Sequence, residues 1–215
     1  MRLALAPDVF AASCGADLVI LDARRGSYYC VPDARAEPIN CGQDVLVSDD
    51  EDLAMGLTKL DLLGAPGSVA QRRRPPPLRR DRGDGPPVRF SAAVWSDGLL
   101  KALAASRRAY WRRPFFDLLR VAIASSGRPQ KDDLAAAEHT AALFRTVSPW
   151  VPFQGDCLYR SLVLRALLAQ EAIASTLVIG VQTWPFEAHA WLQAADVVLD
   201  DSLDHVSGFT PLLAL

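Results

Sequence analysis

Residues 154–162 read Gln-Gly-Asp-Cys-Leu-Tyr-Arg-Ser-Leu, and the reading of the fold turns on them. Gly155 and Asp156 make a turn and an N-cap, which puts Cys157 in the first turn of a helix running to about Gln170. Within that span Leu158, Leu162, Val163, Leu164, Ala166, Leu167 and Leu168 leave almost no polar face. A helix apolar nearly all round belongs at the centre of its domain. At the start of such a helix the dipole and the unpaired amides favour a thiolate, and the same amides can stabilise an oxyanion.

A lone cysteine is more often structural than reactive, so the residues that follow decide. Thr176–Gln182 is a β-favouring run, Trp184-Pro185-Phe186-Glu187 a loop, and Ala188–Gln193 alternates small or apolar side chains with His189, Trp191 and Gln193. Ala194-Ala195-Asp196 turns the chain, and Val197-Val198-Leu199 returns as a partner strand ending at Asp200-Asp201. In an antiparallel hairpin the end of the second strand comes back beside the start of the first, so Asp200 or Asp201 is expected near His189. A cysteine on a helix, a histidine on a strand and an aspartate at the end of the next strand is the chain order of papain-like chemistry. There the thiolate attacks a carbonyl, the imidazole moves the proton and the carboxylate fixes the imidazole tautomer. The bland alternative is a core histidine beside a surface turn.

Upstream, residues 89–148 are expected to be mostly helical. Leu99, Leu100 and Leu103, then Phe115, Phe116, Leu118 and Leu119, then Leu134, Ala137, Ala141 and Phe144 recur at helical intervals, with a break at Gly127-Arg128-Pro129. Arg107-Arg108 and Arg112-Arg113 around Tyr110-Trp111 fit a solvated helix face better than an anion site, and His139 fits a surface or interface position.

At the other end of the chain three extended stretches are expected at Ala6–Ala12, Asp17–Asp22 and Ser27–Pro32, forming a meander with turns at Cys14-Gly15-Ala16 and Arg24-Arg25-Gly26. Asp49-Asp50-Glu51-Asp52 then precede Leu53, Leu57, Leu60 and Leu63, one apolar helix face with carboxylates at its N-terminal end and Gly64 as its stop. This small β-rich unit has no catalytic constellation. It suits either capture of an extended peptide on a sheet edge or a structural cap. Cys14, Cys30 and Cys41 lack a CxxC spacing or a nearby histidine and read as ordinary thiols, with no metal site.

The chain has 215 residues, 50% of them hydrophobic and 22% charged, with a net charge of −2, which excludes a disordered chain. Four cysteines are too few for a disulfide scaffold. Charge is uneven: residues 1–71 carry five basic against eleven acidic side chains, residues 72–88 six arginines against two aspartates, and residues 89–215 twelve of each sign. The middle segment, RRRPPPLRRDRGDGPPV, reads as a partly extended linker that approaches the acidic N-terminal part, dividing the chain into 1–71, 72–88 and 89–215. Without interleaved aromatics or further basic surface it does not point to nucleic acid. No run reaches the roughly 18–20 apolar residues of a membrane span. Arg2 and the apolar run after it imitate a short signal peptide, but Pro7-Asp8 and Asp17 interrupt it, so a cytoplasmic protein with reduced thiols is expected.

Three stretches taken together, DCLYRSLVL, GVQTWPFEAHAWLQ and VVLDDS, resemble the B proteins of lasso-peptide biosynthesis, a transglutaminase-like cysteine protease family that removes the leader from a ribosomal precursor. The resemblance implies catalytic roles for Cys157, His189 and Asp201, with Asp200 where the family often carries a neutral polar residue. LVILDARRGSYYCVP resembles the leader-recognition element of that family, a winged-helix-like unit related to the pyrroloquinoline quinone chaperone. That implies a leader strand added along Tyr28, Tyr29, Cys30 and Val31 and against a helix presenting Leu53, Leu57 and Leu60. Residues 33–48 are too short for the additional helices of the full pattern.

The expected fold is therefore α+β: a small winged-helix-like β-meander with a helix, linked to a papain/transglutaminase-like domain. In that domain the catalytic cysteine would sit on a central helix and the histidine and aspartate on an antiparallel sheet. The expected function is a cysteine endopeptidase, without cofactor, that binds the leader of a lasso precursor and cuts at the leader–core junction. A separate ATP-using, asparagine-synthetase-like cyclase would then close the core. The alternatives are a transglutaminase-like acyl transferase and a non-catalytic peptide-binding chaperone.

Overall fold

The computed structural model describes residues 1–38, 45–64, 75–83, 89–107, 113–125, 130–151 and 156–215. The chain is α+β and forms two compact units. The first comprises Met1–Pro75, Ile179–Ala188 and Phe209–Ala214, and the second Pro76–Val178, His189–Gly208 and Leu215. Among the described residues no helix is long and apolar enough to cross a membrane.

In the first unit, β2 (Val9–Cys14), β3 (Asp17–Asp22) and β4 (Ser27–Val31) form the meander, in spatial order β2-β3-β4. Gly15 and Gly26 supply the left-handed backbone of its two tight turns, at φ 63° and 65°. The first strand begins later than expected because Pro7 and a left-handed Asp8 (φ 63°) break the chain. The residues before that break, Arg2–Ala4 (β1), pair instead with Val45–Ser48 (β6), which also pairs with Ala36–Pro38 (β5). The 33–48 stretch thus contributes two strands of a second antiparallel sheet. Leu18 and Ile20 from β3 pack with Leu46 and with Leu53 and Leu57 of α1 (Glu51–Lys59), and Tyr29 and Val31 lie against this core.

Helix α1 starts where expected, with the Asp50 side chain accepting the Leu53 amide at 3.0 Å. It stops one turn before Gly64. Leu60 is the C-cap, Asp61 turns left-handed at φ 57°, and Asp61 N–H and Leu62 N–H donate back to the Thr58 and Leu57 carbonyls. That is a Schellman motif closed on an aspartate. Gly64 serves differently: a Cβ there would lie 2.8 Å from the Leu5 carbonyl oxygen.

The Arg24-Arg25-Gly26 turn is a clamp as well as a turn. The fully buried Asp22 accepts from Arg24 Nε at 3.0 Å and Arg25 Nη1 at 2.7 Å, and the same two arginines donate to the Asp61 and Leu60 carbonyls at the end of α1. Burial pushes the Asp22 carboxyl up, and these hydrogen bonds outweigh it and hold the group below the usual carboxylate range. Replacing both Arg24 and Arg25 by Ala is expected to cost about 3 kcal/mol in urea unfolding. That is the low end for stranding a buried charge, because both arginines reach solvent. Asp22→Asn should cost less, since no charge is then left behind.

The second unit holds α2 (Ala92–Ala105), α3 (Phe115–Ser125), α4 (Leu134–Val147), a 3₁₀ turn at Ser148–Trp150 and α5 (Cys157–Gln170), with α5 packed on α2 and α4. Leu158, Leu162, Val163, Leu164, Leu167 and Leu168 of α5 are all buried, as an all-round apolar helix requires. The remaining strands are β7 (Arg80–Asp81), β8 (Thr176–Gln182), β9 (Glu187–Ala194), β10 (Val197–Val198) and β11 (Thr210–Ala214), in the sheet order β11-β8-β9-β10-β7. A short helix α6 (Leu203–Val206) lies between β10 and β11.

Residues 76–83 correct the tether reading of the Pro/Arg segment, because they are built into the second unit. Arg80–Asp81 pairs in parallel with β10, Arg79 N–H and Arg82 N–H donate to the Asp196 and Val198 carbonyls at 2.9 Å, and Gln193 donates to the Pro76 carbonyl at 3.0 Å. Arg79 and Arg80 answer Asp196 and Glu138 of this unit. Prolines exclude a central strand but not this edge position. Residues 72–74 and 84–88, Cys41, Tyr110-Trp111, Gly127-Arg128-Pro129 and Gly155 lie outside the described residues.

Candidate active site

Asp156 caps α5 through its side chain, which accepts the Tyr159 amide at 3.3 Å, so Cys157 is the first residue of the helix. One turn on, Ser161 shares its face. The Ser161 hydroxyl lies 3.0 Å from the Cys157 carbonyl, 3.3 Å from the Ala190 carbonyl and 2.5 Å from Asp200 Oδ2, which fastens the start of α5 to β9 and to the segment after β10.

The β9–β10 hairpin turns at Ala195, which is left-handed at φ 49°, and pairs Val197 with Ala194 and Val198 with Gln193. Leu199 N–H donates to the Leu192 carbonyl at 2.9 Å, after which the Asp200 carboxylate takes over and accepts the Leu192 amide at 2.8 Å. A side chain thus continues the ladder, and Asp201 arrives at the start of β9. His189, third residue of that strand and 7% exposed, places Nε2 2.6 Å from Asp201 Oδ2. Its ring stacks on the buried Trp191 at 6.3 Å, 18° from parallel. The His189 side chain also hydrogen-bonds Cys157. The three side chains read from the sequence are therefore brought together in one unit, in the order Cys157–His189–Asp201.

Their electrostatics are mutually reinforcing. Burial alone would raise the Cys157 thiol and lower the His189 imidazole. Hydrogen bonds from His189 and the Ala190 amide outweigh it at Cys157, which falls below the ordinary thiol value. Hydrogen bonds with Asp201 and Cys157 outweigh it at His189, which is pushed up to about 9. Burial likewise opposes ionisation of Asp201, but His189, the Ser202 amide and His205 hold its carboxyl far below the usual range. Both shifts favour the thiolate–imidazolium form. Asp200, whose burial pushes its carboxyl up, is engaged with Ser161 and Leu192 and fixes the hairpin from behind.

Sequence reasoning passed over three neighbours. His205, on α6, puts Nδ1 3.0 and 3.1 Å from the two Asp201 oxygens, and Arg160 on α5 lies 3.5 Å from Oδ2. Ser161 is the third. The signals were present as Cys157-x₃-Ser161, one helical turn apart, and Asp201-x₃-His205, the same spacing across the start of α6.

In the first unit, β4 is an edge strand. Tyr29 and Val31 pack against the core with the buried Leu53 and Leu57, Cys30 is exposed, and Leu60 is 42% exposed at the helix end. Tyr28, on the face of Cys30, meets Phe186 with ring centroids 5.5 Å apart, while the Trp184 indole donates to Asp17 at 2.7 Å. Cys14 is buried, its sulfur 3.6 Å from the Val181 carbonyl.

The family model of the transglutaminase-like superfamily matches residues 99–214. The microcin J25-processing protein McjB of Escherichia coli is 40% identical over 50 residues, a stretch that covers 23% of this chain and 24% of that protein. The match therefore spans about a quarter of the relative's length. No solved structure matches the chain. These findings support the resemblance to lasso-peptide B proteins drawn from the stretches around Cys157, His189 and Asp201. With more than half of its length matched, the chain belongs to the transglutaminase-like superfamily.

Proposed function

We propose that this protein is a cysteine endopeptidase that removes the leader of a lasso-peptide precursor, with Cys157 as nucleophile, His189 as general acid–base and Asp201 as the group that orients and charges the imidazole. The observation that carries the reading is the hydrogen-bonded relay, with His189 Nε2 2.6 Å from Asp201 and the same ring bonded to Cys157. Attack by the thiolate on the scissile carbonyl gives a tetrahedral oxyanion beside the first amides of α5. His189 Nδ1–H then protonates the leaving amine, and water, deprotonated by the same nitrogen, releases the leader carboxylate. The freed core amine would be the substrate of the separate asparagine-synthetase-like cyclase.

Membership of the superfamily favours one second reading, acyl transfer to an amine in place of water. Incubation with the precursor peptide separates the two by product mass. Hydrolysis gives two fragments that together weigh one water more than the precursor, and amine capture gives an adduct. Adduct alone would displace the peptidase reading.

The first unit is proposed to hold the leader as an added strand on the open edge of β4, with Tyr28 and Cys30 facing its side chains on one side and Leu60 near the helix end. Tyr28→Ala is expected to weaken binding of a labelled leader peptide about tenfold, the scale of one aromatic contact in an interface, as read by fluorescence anisotropy. Unchanged affinity would remove Tyr28 from the site.

A further inference from the structure

We propose that His189, Asp201 and His205 form an inhibitory site for zinc, or a dication of the same preferences. Metal binding does not depend on the peptidase reading; the inhibition does. The three side chains come from β9, the turn after β10 and α6, and their donor atoms all lie within 4.8 Å of one another. Asp201 stands between the two imidazoles, 2.6 Å from His189 Nε2 and 3.0 Å from His205 Nδ1, and the rings are 4.6 Å apart.

Two imidazoles and a carboxylate form a three-ligand set of the kind that holds zinc while leaving the fourth position open. Imidazole donors select against calcium and magnesium, which take oxygen. Zinc bonds of about 2.0–2.1 Å place tetrahedral donors roughly 3.3 Å apart, so Asp201 needs to part from each imidazole by less than about 1 Å, and the two imidazole nitrogens, within 4.8 Å, to close by at most about 1.5 Å. The 48% exposed His205 side chain, on a four-residue helix, supplies that freedom and an entry path. Arg160, 3.5 Å from Asp201, opposes a cation, but it answers the same carboxylate from α5 and contributes no donor atom.

Zinc at this site takes the lone pair of His189 Nε2, and the proton that atom carried leaves to solvent. The imidazole is then a metal ligand and can no longer hold the charge that pairs with the Cys157 thiolate. The Cys157 sulfur is itself a zinc donor on the opposite side of the ring, so the test is made without it.

Full-length Cys157→Ala protein is titrated with zinc against a chromogenic chelator, beside a second protein carrying both Cys157→Ala and His205→Gln. Glutamine keeps a hydrogen-bond donor beside Asp201 but offers no imidazole, and His205→Ala serves as the second variant should Gln disturb α6. The expected result is one zinc per chain for the first protein and at least about 100-fold weaker binding for the second, since partners outside a ligand set already cost about 10–100-fold. Equal affinity in the two proteins, or no zinc binding by the first, overturns the site. Zinc bound without loss of cleavage by the native chain overturns its inhibitory role and leaves the site standing.

Discussion

Cys157→Ala is expected to abolish precursor cleavage, lowering the rate by about 10⁶-fold, while leader affinity stays unchanged. The nucleophile cannot be replaced by its neighbours. Ser161 sits one turn along the same face, but its hydroxyl is committed to the Cys157 and Ala190 carbonyls and to Asp200. What residual rate survives comes from the α5 amides and from substrate positioning, and is seen by mass spectrometry only at long times. Full processing by Cys157→Ala would sink the peptidase reading and favour the peptide-binding chaperone, since Cys157 would then play no part in the cleavage.

Asp201→Asn carries the next largest effect, about a 10⁴-fold loss in kcat with little change in KM, because the amide keeps the geometry but cannot stabilise the imidazolium. The sign of its pH dependence follows from the shifts. In the native protein the active pair needs Cys157 deprotonated and His189 protonated. Activity should thus rise through the depressed thiol pKa and fall as His189 loses its proton near pH 9. Without the Asp201 carboxylate the imidazole loses the hydrogen bond and charge that raise it, and the alkaline limb should move to lower pH. An alkaline limb unchanged in Asp201→Asn would show that His189 is not held up by Asp201.

Much of this centre was legible in the sequence because its determinants are local. Asp156 marks the helix start, the leucines of α5 declare it buried, and the short Ala194-Ala195-Asp196 turn dictates that the residues after Val198 return to His189. What was not legible depends on pairing between distant segments. Arg2–Ala4, Ala36–Pro38 and Val45–Ser48 are only three or four residues long, and none shows strand periodicity until it meets the others. Arg80–Asp81 is a two-residue strand set among prolines and arginines, recognisable only through β10. The early end of α1 rests on a left-handed Asp61 where glycine was the expected stop. His205 was passed over because nothing in the sequence around it marks a half-exposed histidine as a neighbour of the site. Its significance lies in the short helix α6, which folds it back so that Nδ1 reaches Asp201.

The proposed chemistry requires Cys157 to be an activated thiolate held by His189, and the pH dependence of its alkylation, followed at that residue by peptide mass mapping, tests this without any substrate. The native protein should show a midpoint below the ordinary thiol value of about 8.5, and His189→Ala should move it upward. A native midpoint at or above that value, left in place by His189→Ala, would contradict the account.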